Sequence, residues 1–439
     1  MPLVIVITGV VLLLLLIALF RVNAFIAFVL VALGVGLATG MPVLDAVQAI
    51  QNGIGGTLGF IVLILGFGAM LGKLVAESGA AQRITDSLVK LFGIKRIQFA
   101  LMLTGFIVGI PMFYSVGFII LVPLVFTIAA STRLPLIYVA LPMLSALSVT
   151  HGYLPPHPAP TAIAADFNAD IGLTMMYGLI VAVPAILLAG LVFSRTLKDM
   201  NPTPPKDLFE TKIFTEEEMP SVATSILTAL LPIILIGGKT ILMNYVTPGT
   251  TTAEVLEFFG NPILAMLISV CVAVYFLGLK RGKKMENIMN SLVDSVKSIT
   301  MIMLIIAGAG ALKQVMADSG ISDYVGSLLS ASSWSPIFLA WGIAALIRVS
   351  VGSATIAGLT TAGIILPMVA TSGVRPELLV LATGAGSLML SHVNDSGFWM
   401  FKEFFNLSIK ETFRSWTVME TIVSVVGLIG VYILHLVIS

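Results

Sequence analysis

The sequence predicts an all-α polytopic membrane protein of about ten spans plus two re-entrant hairpins, organised as two inverted structural repeats. Hydrophobic residues make up 58% of the 439 residues and charged residues only 10%, whereas a soluble globular chain is roughly half apolar and a quarter charged. Gly117 recurs as Gly358 and His151 as His392, 241 residues later in both cases. A constant spacing between matching positions in two apolar halves indicates a duplicated unit.

Composition and short motifs narrow the class of protein. The net charge of +1 provides no basic field that would attract nucleic acid, so we expect no nucleic-acid partner. Cys271 is the only cysteine, so an intrachain disulfide is impossible. The sequence contains no HExxH or GxSxG signature, and residues 68–74 fall one residue short of a nucleotide-binding loop. We therefore expect no metal, no cofactor and no enzymatic activity.

Apolar stretches long enough to cross a bilayer define the predicted spans. They lie at residues 2–20, 24–40, 53–72, 171–194, 222–246, 261–279 and 416–438, with a shorter one at 299–312. Residues 195–221 form a polar, proline-containing stretch that divides the two halves. The predicted order is N-terminal spans at 1–52, a first repeat at 53–194, a cytoplasmic linker at 195–221, connecting spans at 222–298 and a second repeat at 299–439.

The distribution of charged residues predicts how the two repeats are oriented. Because basic loops stay in the cytoplasm, the stretch after the 53–72 span is predicted to be cytoplasmic and its counterpart after residue 312 external. Equivalent loops on opposite faces indicate an inverted repeat, which is typical of secondary transporters. The N- and C-termini are predicted to be external. The cytoplasmic stretch carries five basic residues and its counterpart one lysine and two aspartates: Lys73, Arg83, Lys90, Lys95 and Arg96 against Lys313, Asp318 and Asp323.

Two regions are too short and too interrupted to form ordinary spans. Residues 99–110 and 116–130 are separated by Pro111-Met-Phe-Tyr-Ser115, where the proline removes a backbone donor and interrupts a helix. The corresponding region, 337–370, turns at Val351-Gly-Ser-Ala-Thr355, where the glycine permits a tight turn. Each region is predicted to form a re-entrant hairpin, and the alternative is a pair of short spans.

Two polar breaks interrupt apolar helix at matching places in the repeats. The first, residues 150–161, contains four prolines, and the second is Ser391-His-Val-Asn-Asp-Ser-Gly397. Unwound backbone at membrane depth is tolerated only inside protein or beside a water-filled cavity. Paired breaks of this kind are the best sequence pointer to the binding site of a transporter.

Ionisable residues near these breaks are the candidate ion-coupling groups: His151, His157, His392 and Asp395. Such side chains within spans usually face the bundle interior or a water path, and histidine can carry a proton near neutral pH. The two repeat-related histidines are either proton carriers or hydrogen-bonding groups at helix ends. Asp395 is either part of an ion or polyol site or the N-cap of the following helix.

Polar groups near the hairpin tips and breaks are the candidate substrate ligands. Arg348 precedes the second tip, where its guanidinium is suited to clamp a carboxylate, to pair with Asp395 or to reach the membrane interface. Hydroxyl and amide groups are suited to hold a polyol. The predicted substrate-binding set is Ser115, Thr150, Thr161, Arg348, Ser353, Thr355 and Asn394.

Several strings resemble the gluconate permease (GntP) family, and the similarity extends over nearly the whole chain. The resemblance implies a bacterial inner-membrane transporter that imports gluconate or a related sugar acid by proton symport, with idonate, other aldonates and D-serine taken by other members. It also implies a homodimer of inverted repeats with paired hairpins and an elevator-like scaffold. The strings include Gly66-Phe-Gly-Ala-Met-Leu-Gly-Lys73, Ala146-Leu-Ser-Val-Thr-His-Gly152, Leu154-Pro-Pro-His-Pro158, Gly352-Ser-Ala-Thr355 and Ser391-His-Val-Asn-Asp395.

The chain departs from the family pattern at the first hairpin tip. The string Phe-Tyr-Ser-Val-Gly-Phe at 113–118 has Ser115 where several family members have a glutamate. If that acid carries the proton elsewhere in the family, coupling here uses another group, such as His151 or Asp395, or another cation. The sequence thus predicts a cation-coupled importer of a small hydroxy-carboxylate; a channel, a sensor and a membrane-embedded enzyme are the alternatives.

Overall fold

The computed structural model describes residues 2–200, 202–203, 214–321, 324 and 334–438. Within these ranges every regular element is helical, which confirms the all-α class. In this part of the chain, seven helices are long and apolar enough to cross a membrane, or up to nine if each of two bent pairs is one span. The predicted ten spans stay a prediction. Pro204 and Pro205 of the linker and Asp323 of the predicted external loop lie outside the described residues.

The helices of the described ranges follow one another with short connections. A π-helical turn, Phe413–Thr417, joins the last two of them. In chain order they are α1 (Pro2–Leu14), α2 (Ala24–Ala38), α3 (Val43–Glu77), α4 (Ala80–Phe92), α5 (Ile97–Gly109), α6 (Tyr114–Thr132), α7 (Leu136–Tyr153), α8 (Pro158–Asp166), α9 (Ile171–Ile186), α10 (Val222–Leu242), α11 (Thr251–Gly260), α12 (Pro262–Ala273), α13 (Met285–Asp318), α14 (Pro336–Val351), α15 (Ala354–Val369), α16 (Pro376–Gly386), α17 (Ser396–Phe404), α18 (Ile409–Thr412) and α19 (Val418–Ile438).

The order of helices in the first half recurs in the second. The long helices α3 and α13 end at Glu77 and Asp318, and α7 and α16 begin at Leu136 and Pro376. The pair α5 and α6 corresponds to α14 and α15, and the short helix α8 corresponds to α17. The spacing that links matching residues in the sequence therefore also links matching helices.

The two hairpin tips turn for different local reasons. Pro111 lies between α5 and α6, where its ring and missing N–H prevent the helix from continuing. At the second tip Gly352 has a φ angle of +78°, which glycine adopts without strain. Ser353 then caps α15 by accepting the N–H of Ile356 at 3.3 Å. Both tips are sharp helix-to-helix turns, and their re-entrant position in a bilayer stays a prediction.

Each polar break contains a non-helical segment between two helices, at residues 154–157 and 387–395. The first break is shorter than predicted, because residues 150–153 and 158–161 are helical. Helix α7 ends at Tyr153, and α8 begins at Pro158, whose fixed φ angle suits the first turn of a helix. In the second half, Asp395 caps α17 by accepting the N–H of Gly397 at 2.9 Å. Asp395 is thus a helix N-cap, one of the two roles that the sequence allowed for it.

The broken helices lie at the centre of the molecule. Nearly every residue of α7 is buried, and α7 packs against α5, α6 and α9. Helix α16 packs against α14, α9 and α19, while α3 and α13 pack along each other. The first break, after α7, is therefore enclosed by protein, whereas the second, after α16, is partly exposed and lines a cavity through residues 395–397. Both conditions allow unwound backbone at membrane depth.

Basic side chains gather around the described part of the linker. Arg83 Nε donates to the carbonyl of Pro220 at 2.9 Å, and Arg83 Nη1 lies 3.1 Å from Glu216 Oε1. Arg281 donates to the carbonyl of Glu217 at 2.5 Å. The stretch after the 53–72 span, which is predicted to be cytoplasmic, therefore contacts the linker, and so does the turn that contains Arg281.

Candidate functional site

A cavity of about 370 Å³ lies between the two hairpin tips, the C-terminal part of α7 and the second break. The tips contribute residues 113–115 and 352–355, and the second break contributes residues 395–397. His151 lines the cavity near the end of α7, just before the non-helical residues of the first break. Both tips, the second break and α7 therefore enclose one space.

The charged centre of the cavity is an ion pair between Arg348 and Asp395. Arg348 Nη2 lies 2.5 Å from Asp395 Oδ2, and the two side chains are 4% and 11% exposed. Arg348 Nη1 donates to the carbonyl of Gly352 at the second tip, and the hydroxyl of Ser391 donates to Asp395. A buried ion pair is better tolerated when further hydrogen bonds support both charges. Here each partner has at least one such bond, and Arg348 Nε has none among the described residues.

The π-helical turn before α19 holds the second break in place. Trp416 Nε1 donates to Ser391 Oγ at 2.7 Å, and the hydroxyl of Thr417 donates to the carbonyl of Ser391 at 2.6 Å. Ser391 in turn donates to Asp395. Short π-helical turns are frequent at functional sites, and this one links α19 to the charged pair through a single serine.

Glu420 is a second carboxylate in the cavity wall, and reasoning from the sequence missed it. It lies in the first turn of α19 and is 1% exposed. Neither Oε atom has a hydrogen-bond partner of good geometry in the described part of the chain. Ser148, Arg348 and Asp395 are its polar neighbours in the cavity. Its position alone is a signal, because a carboxylate inside a predicted span is a functional candidate.

Two aromatic residues that the sequence did not single out also line the cavity. The ring centroid of Tyr114 lies 5.7 Å from that of Trp416 and 6.3 Å from that of His151. Tyr114 Oη and His151 Nδ1 are buried and have no hydrogen-bond partner among the described residues. Buried polar atoms are normally paired, so these two are available to a ligand or to water.

The predicted site residues divide between the cavity wall and its surroundings. Six of them line the cavity: Ser115, His151, Arg348, Ser353, Thr355 and Asp395. Five do not: Thr150, Thr161, Asn394, His157 and His392.

Three of those five are buried near the first break. The hydroxyl of Thr150 donates to the carbonyl of Leu147 at 2.9 Å, within α7. His157 Nε2 lies 2.9 Å from the carbonyl oxygen of Gly109 at the end of α5. Thr161 is fully buried, and its hydroxyl has no partner in the described ranges. His157 thus ties the first break to the helix that leads into the first tip.

The remaining two fasten the second break to the second tip. His392 Nε2 and Asn394 Nδ2 lie 3.0 and 2.8 Å from the carbonyl oxygen of Val349, near the end of α14. The repeat-related histidines therefore differ in position, because His151 lines the cavity and His392 does not.

The described residues contain no cluster of three or more side chains suited to a metal ion. Asp166, a weaker candidate from the sequence, lies away from the cavity and pairs with Lys313 at 2.5 Å. What the cavity offers is one arginine, two carboxylates, a histidine and several hydroxyls. A guanidinium can donate two parallel hydrogen bonds to a carboxylate, and hydroxyls can pair with the hydroxyl groups of a ligand.

Paired tips and paired breaks around a charged cavity, among helices long enough to span a bilayer, are typical of a membrane transporter built from repeats. The chain belongs to the GntP family of permeases, because the family model described as GntP family permease matches residues 1–437. This finding confirms the resemblance that the sequence strings indicated.

The chain is similar in sequence to two transporters of the family and similar in fold to one solved structure. It is 53% identical to the high-affinity gluconate transporter of Escherichia coli (strain K12), over 100% of both chains. It is 51% identical to the Gnt-II system L-idonate transporter of the same organism, over 98% of both chains. Its fold is similar to that of the Alcanivorax borkumensis YdaH transporter, with a TM-score of 0.66, 16% identity and coverage of 94% of this chain and 97% of that one.

Proposed function

We propose that this protein imports gluconate, or a closely related small hydroxy-carboxylate, across the bacterial inner membrane by symport with a proton. The observation that carries the proposal is the cavity between the two tips, α7 and the second break, which one arginine and several hydroxyl-bearing residues line. The names of the two relatives, which specify gluconate and L-idonate, support the same class of substrate.

The cavity matches the chemistry of a sugar acid. Its volume of about 370 Å³ lies in the lower part of the range of about 300–1,000 Å³ for small-molecule sites. The hydroxyls of Ser115, Ser353 and Thr355 suit the hydroxyl groups of the substrate. Arg348 suits its carboxylate, because a guanidinium can donate two parallel hydrogen bonds to a carboxylate. In this arrangement Asp395 and the substrate share the arginine.

The other predicted residues are assigned by their positions. His151 and Asp395 line the cavity and are proposed to take part in ion coupling. The remaining five, which lie outside the lining, are proposed to act by holding the tips and breaks in place: Thr150, Thr161, Asn394, His157 and His392.

Transport in proteoliposomes tests the proposal. Labelled gluconate should accumulate above its equilibrium level when an inward proton gradient is imposed, and should only equilibrate when that gradient is collapsed by a protonophore. A sodium gradient in place of the proton gradient identifies the coupling ion. Failure to accumulate under either gradient would contradict symport, and uptake that never exceeds equilibrium would indicate a channel.

L-Idonate is the second candidate substrate, because the relative with that name is nearly as similar in sequence as the gluconate transporter. Competition of unlabelled gluconate, L-idonate, shorter hydroxy acids and D-serine against labelled gluconate ranks them directly. The substrate with the lowest inhibition constant identifies the specificity of the cavity.

We also propose a homodimer in the inner membrane with external termini and a cytoplasmic linker. Cys271 is the only cysteine, so Cys271→Ser provides a background for labelling with membrane-impermeant maleimide. Asp318→Cys should react in intact cells, and Lys95→Cys should react only after the cells are opened. The reverse pattern would invert the topology. Mass measurement in nanodiscs tests the dimer.

A further inference from the structure

The two carboxylates of the cavity have opposite surroundings. Asp395 is paired with Arg348 at 2.5 Å and also accepts hydrogen bonds from the hydroxyl of Ser391 and the N–H of Gly397. Glu420 is 1% exposed, and its one nearby uncharged hydrogen-bonding group is the Ser148 hydroxyl, which does not reach good hydrogen-bond geometry with either Oε atom in the described ranges. An ionised carboxylate that is buried without partners is very unfavourable, whereas a neutral carboxyl is tolerated. The ion pair and hydrogen bonds of Asp395 stabilise a negative charge on its carboxylate. Glu420 lacks such contacts, so it is the carboxyl group of the cavity whose charge can change.

The ionisable groups that share the cavity region with Glu420 come from several elements. Helix α7 contributes His151 and Tyr153, the first tip contributes Tyr114, and α14 contributes Arg348. Tyr153 is already engaged, because its hydroxyl donates to a backbone carbonyl of α19 at 2.5 Å. Tyr114 Oη and His151 Nδ1 have no partner in the described part of the chain. Both residues line the same cavity as Glu420.

Ionisable groups on the other elements that pack against α19 are directed to other partners. Tyr177 of α9 contacts Arg375, and Glu377 of α16 accepts a backbone N–H at 3.0 Å. Arg414, in the π-helical turn, pairs with Asp199 at 2.9 Å. None of these residues lines the cavity. Arg348 is thus the cation whose charge attracts Glu420, and one guanidinium nitrogen of Arg348 is already paired with Asp395.

We propose that Glu420 carries the coupling proton, a role that rests on the proton symport proposed above. In the loaded state one Oε holds the proton, so Glu420 is neutral while Arg348, Asp395 and the substrate carboxylate share the cavity. Release passes the proton to water on the cytoplasmic side, and the substrate leaves. Glu420 is then a carboxylate. Its negative charge is attracted to Arg348, because the substrate carboxylate no longer binds the guanidinium group. One proton and one substrate anion cross together, and no net charge moves.

Electrostatics in the cavity explains why the two movements are coupled. A substrate carboxylate brings a negative charge close to Glu420 in a region of low dielectric, and a nearby like charge favours the neutral form of a carboxyl. Binding of the anion therefore favours uptake of the proton. By reciprocity, protonation of Glu420 strengthens binding of the anion by the same factor.

The spacing of the internal repeat agrees with this assignment. The residue 241 positions before Glu420 is Leu179, which cannot ionise. The proton site is therefore a property of the second repeat alone.

Substitution of Glu420 by glutamine tests the role, because glutamine has nearly the same shape and mimics the protonated carboxyl. In proteoliposomes, E420Q should no longer accumulate labelled gluconate under an inward proton gradient. Counterflow of labelled against unlabelled gluconate needs no net proton movement and should persist at a reduced rate. The matched control is E403Q, because Glu403 is 64% exposed and lies outside the cavity; it should accumulate gluconate as the wild type does.

The outcomes separate this assignment from the proposed function. Accumulation by E420Q overturns the role of Glu420 and leaves symport intact. Loss of counterflow as well as accumulation, in E420Q that elutes as a folded protein, overturns it in favour of substrate binding. A wild type that fails to accumulate gluconate under a proton gradient overturns both proposals.

A measurement on the wild type does not depend on the folding of a variant. A hydrophobic carbodiimide reacts with protonated carboxyl groups in apolar surroundings, and peptide mass spectrometry locates the adduct. We expect the adduct on Glu420, with a yield that falls as the pH rises, and no adduct on Glu403. Absence of an adduct on Glu420 at acid pH, or a yield that does not change with pH, contradicts a titrating carboxyl at this position.

Discussion

The two repeats have the same order of helices, but they contribute different chemical groups to the cavity. The arginine and both carboxyl groups come from the second repeat, and the first contributes hydroxyl groups and one histidine. Tyr114, Ser115, Ser148 and His151 belong to the first repeat, and Arg348, Asp395 and Glu420 belong to the second.

The 241-residue spacing between matching positions shows which residues of the first repeat correspond to these charged residues. Ile107, Leu154 and Leu179 lie 241 residues before Arg348, Asp395 and Glu420. Each charged residue of the cavity therefore has an aliphatic counterpart in the other repeat. A charge buried at membrane depth is unfavourable unless it is paired or has a function. The second repeat carries these charges, so we expect it to supply the groups that bind the substrate carboxylate and the ion.

The largest expected effect is at Arg348, where the repeats differ most in charge. Arg348→Met leaves Asp395 buried without its cation, and removal of one partner of a buried pair costs about 3–5 kcal/mol. We expect a large fall in the midpoint of thermal unfolding in detergent and loss of gluconate uptake.

Ile107→Met is the matched control for Arg348→Met, because it introduces the same side chain at the equivalent place in the first repeat. A hydrophobic exchange of similar volume costs less than about 1.5 kcal/mol. The double variant Arg348→Met with Asp395→Asn should recover part of the lost stability, because no unpaired charge then remains. Equal losses at positions 107 and 348 would show that the charge asymmetry has no energetic importance.

The second effect compares two glycines of the same hairpin. Gly352 has a φ angle of +78°, and a Cβ atom there would meet the backbone of Asn394. The left-handed conformation alone costs an L-residue about 1–2 kcal/mol, so Gly352→Ala should lower both the unfolding midpoint and the rate of uptake. Gly342 lies within α14 with open space around its Cβ position, and Gly342→Ala should gain about 0.5–1 kcal/mol. Thermal unfolding of the two variants should therefore change in opposite directions, and a change of the same sign would contradict a tip conformation that requires glycine.

The sequence was sufficient for the helical repeats, the tips and the breaks, because glycine, proline and charge have fixed local consequences. It was less informative about which side chains face the cavity. Thr150 and His151 are neighbours in α7, yet successive helical residues point about 100° apart, and only His151 lines the cavity. Without the rotation of α7 about its axis, no sequence pattern separates the two.

Glu420, Tyr114 and Trp416 illustrate a second limit. The two aromatic residues lie in apolar stretches, where such side chains usually belong to the core, and Glu420 lies within a predicted span. They meet because the π-helical turn and the first tip approach each other in three dimensions. Proximity between distant segments is a property of packing, so only the lone carboxylate could have been noticed in the sequence.

A third and smaller effect tests the hydrogen bond that supports the second break. Trp416 is 3% exposed, and its Nε1 donates to Ser391 Oγ at 2.7 Å. Trp416→Phe removes this donor, and a lost hydrogen bond of this kind costs about 0.5–1.5 kcal/mol. Trp399→Phe is the control, because its Nε1 bond to the carbonyl of Val393 lies at a position that is 39% exposed, where water can replace the donor. Gluconate uptake should fall more for Trp416→Phe than for Trp399→Phe. Equal effects would show that the hydrogen bond from Trp416 to Ser391 does not support the site.

The smallest effect should come from an exposed ion pair with the same chemistry as the buried one. Arg414 and Asp199 are paired at 2.9 and 3.2 Å, but their side chains are 52% and 60% exposed, so solvent screens their attraction. The hydrogen bonds from Arg414 lower the pKa of Asp199. The stability that this pair contributes is therefore present above the pKa of Asp199 in the unfolded chain and is lost as the pH falls through the lower pKa of the folded protein. Asp199→Asn should shift the unfolding midpoint only slightly at neutral pH, and the two proteins should converge at acid pH. A shift as large as that of Arg348→Met would show that burial does not decide the importance of an ion pair in this protein.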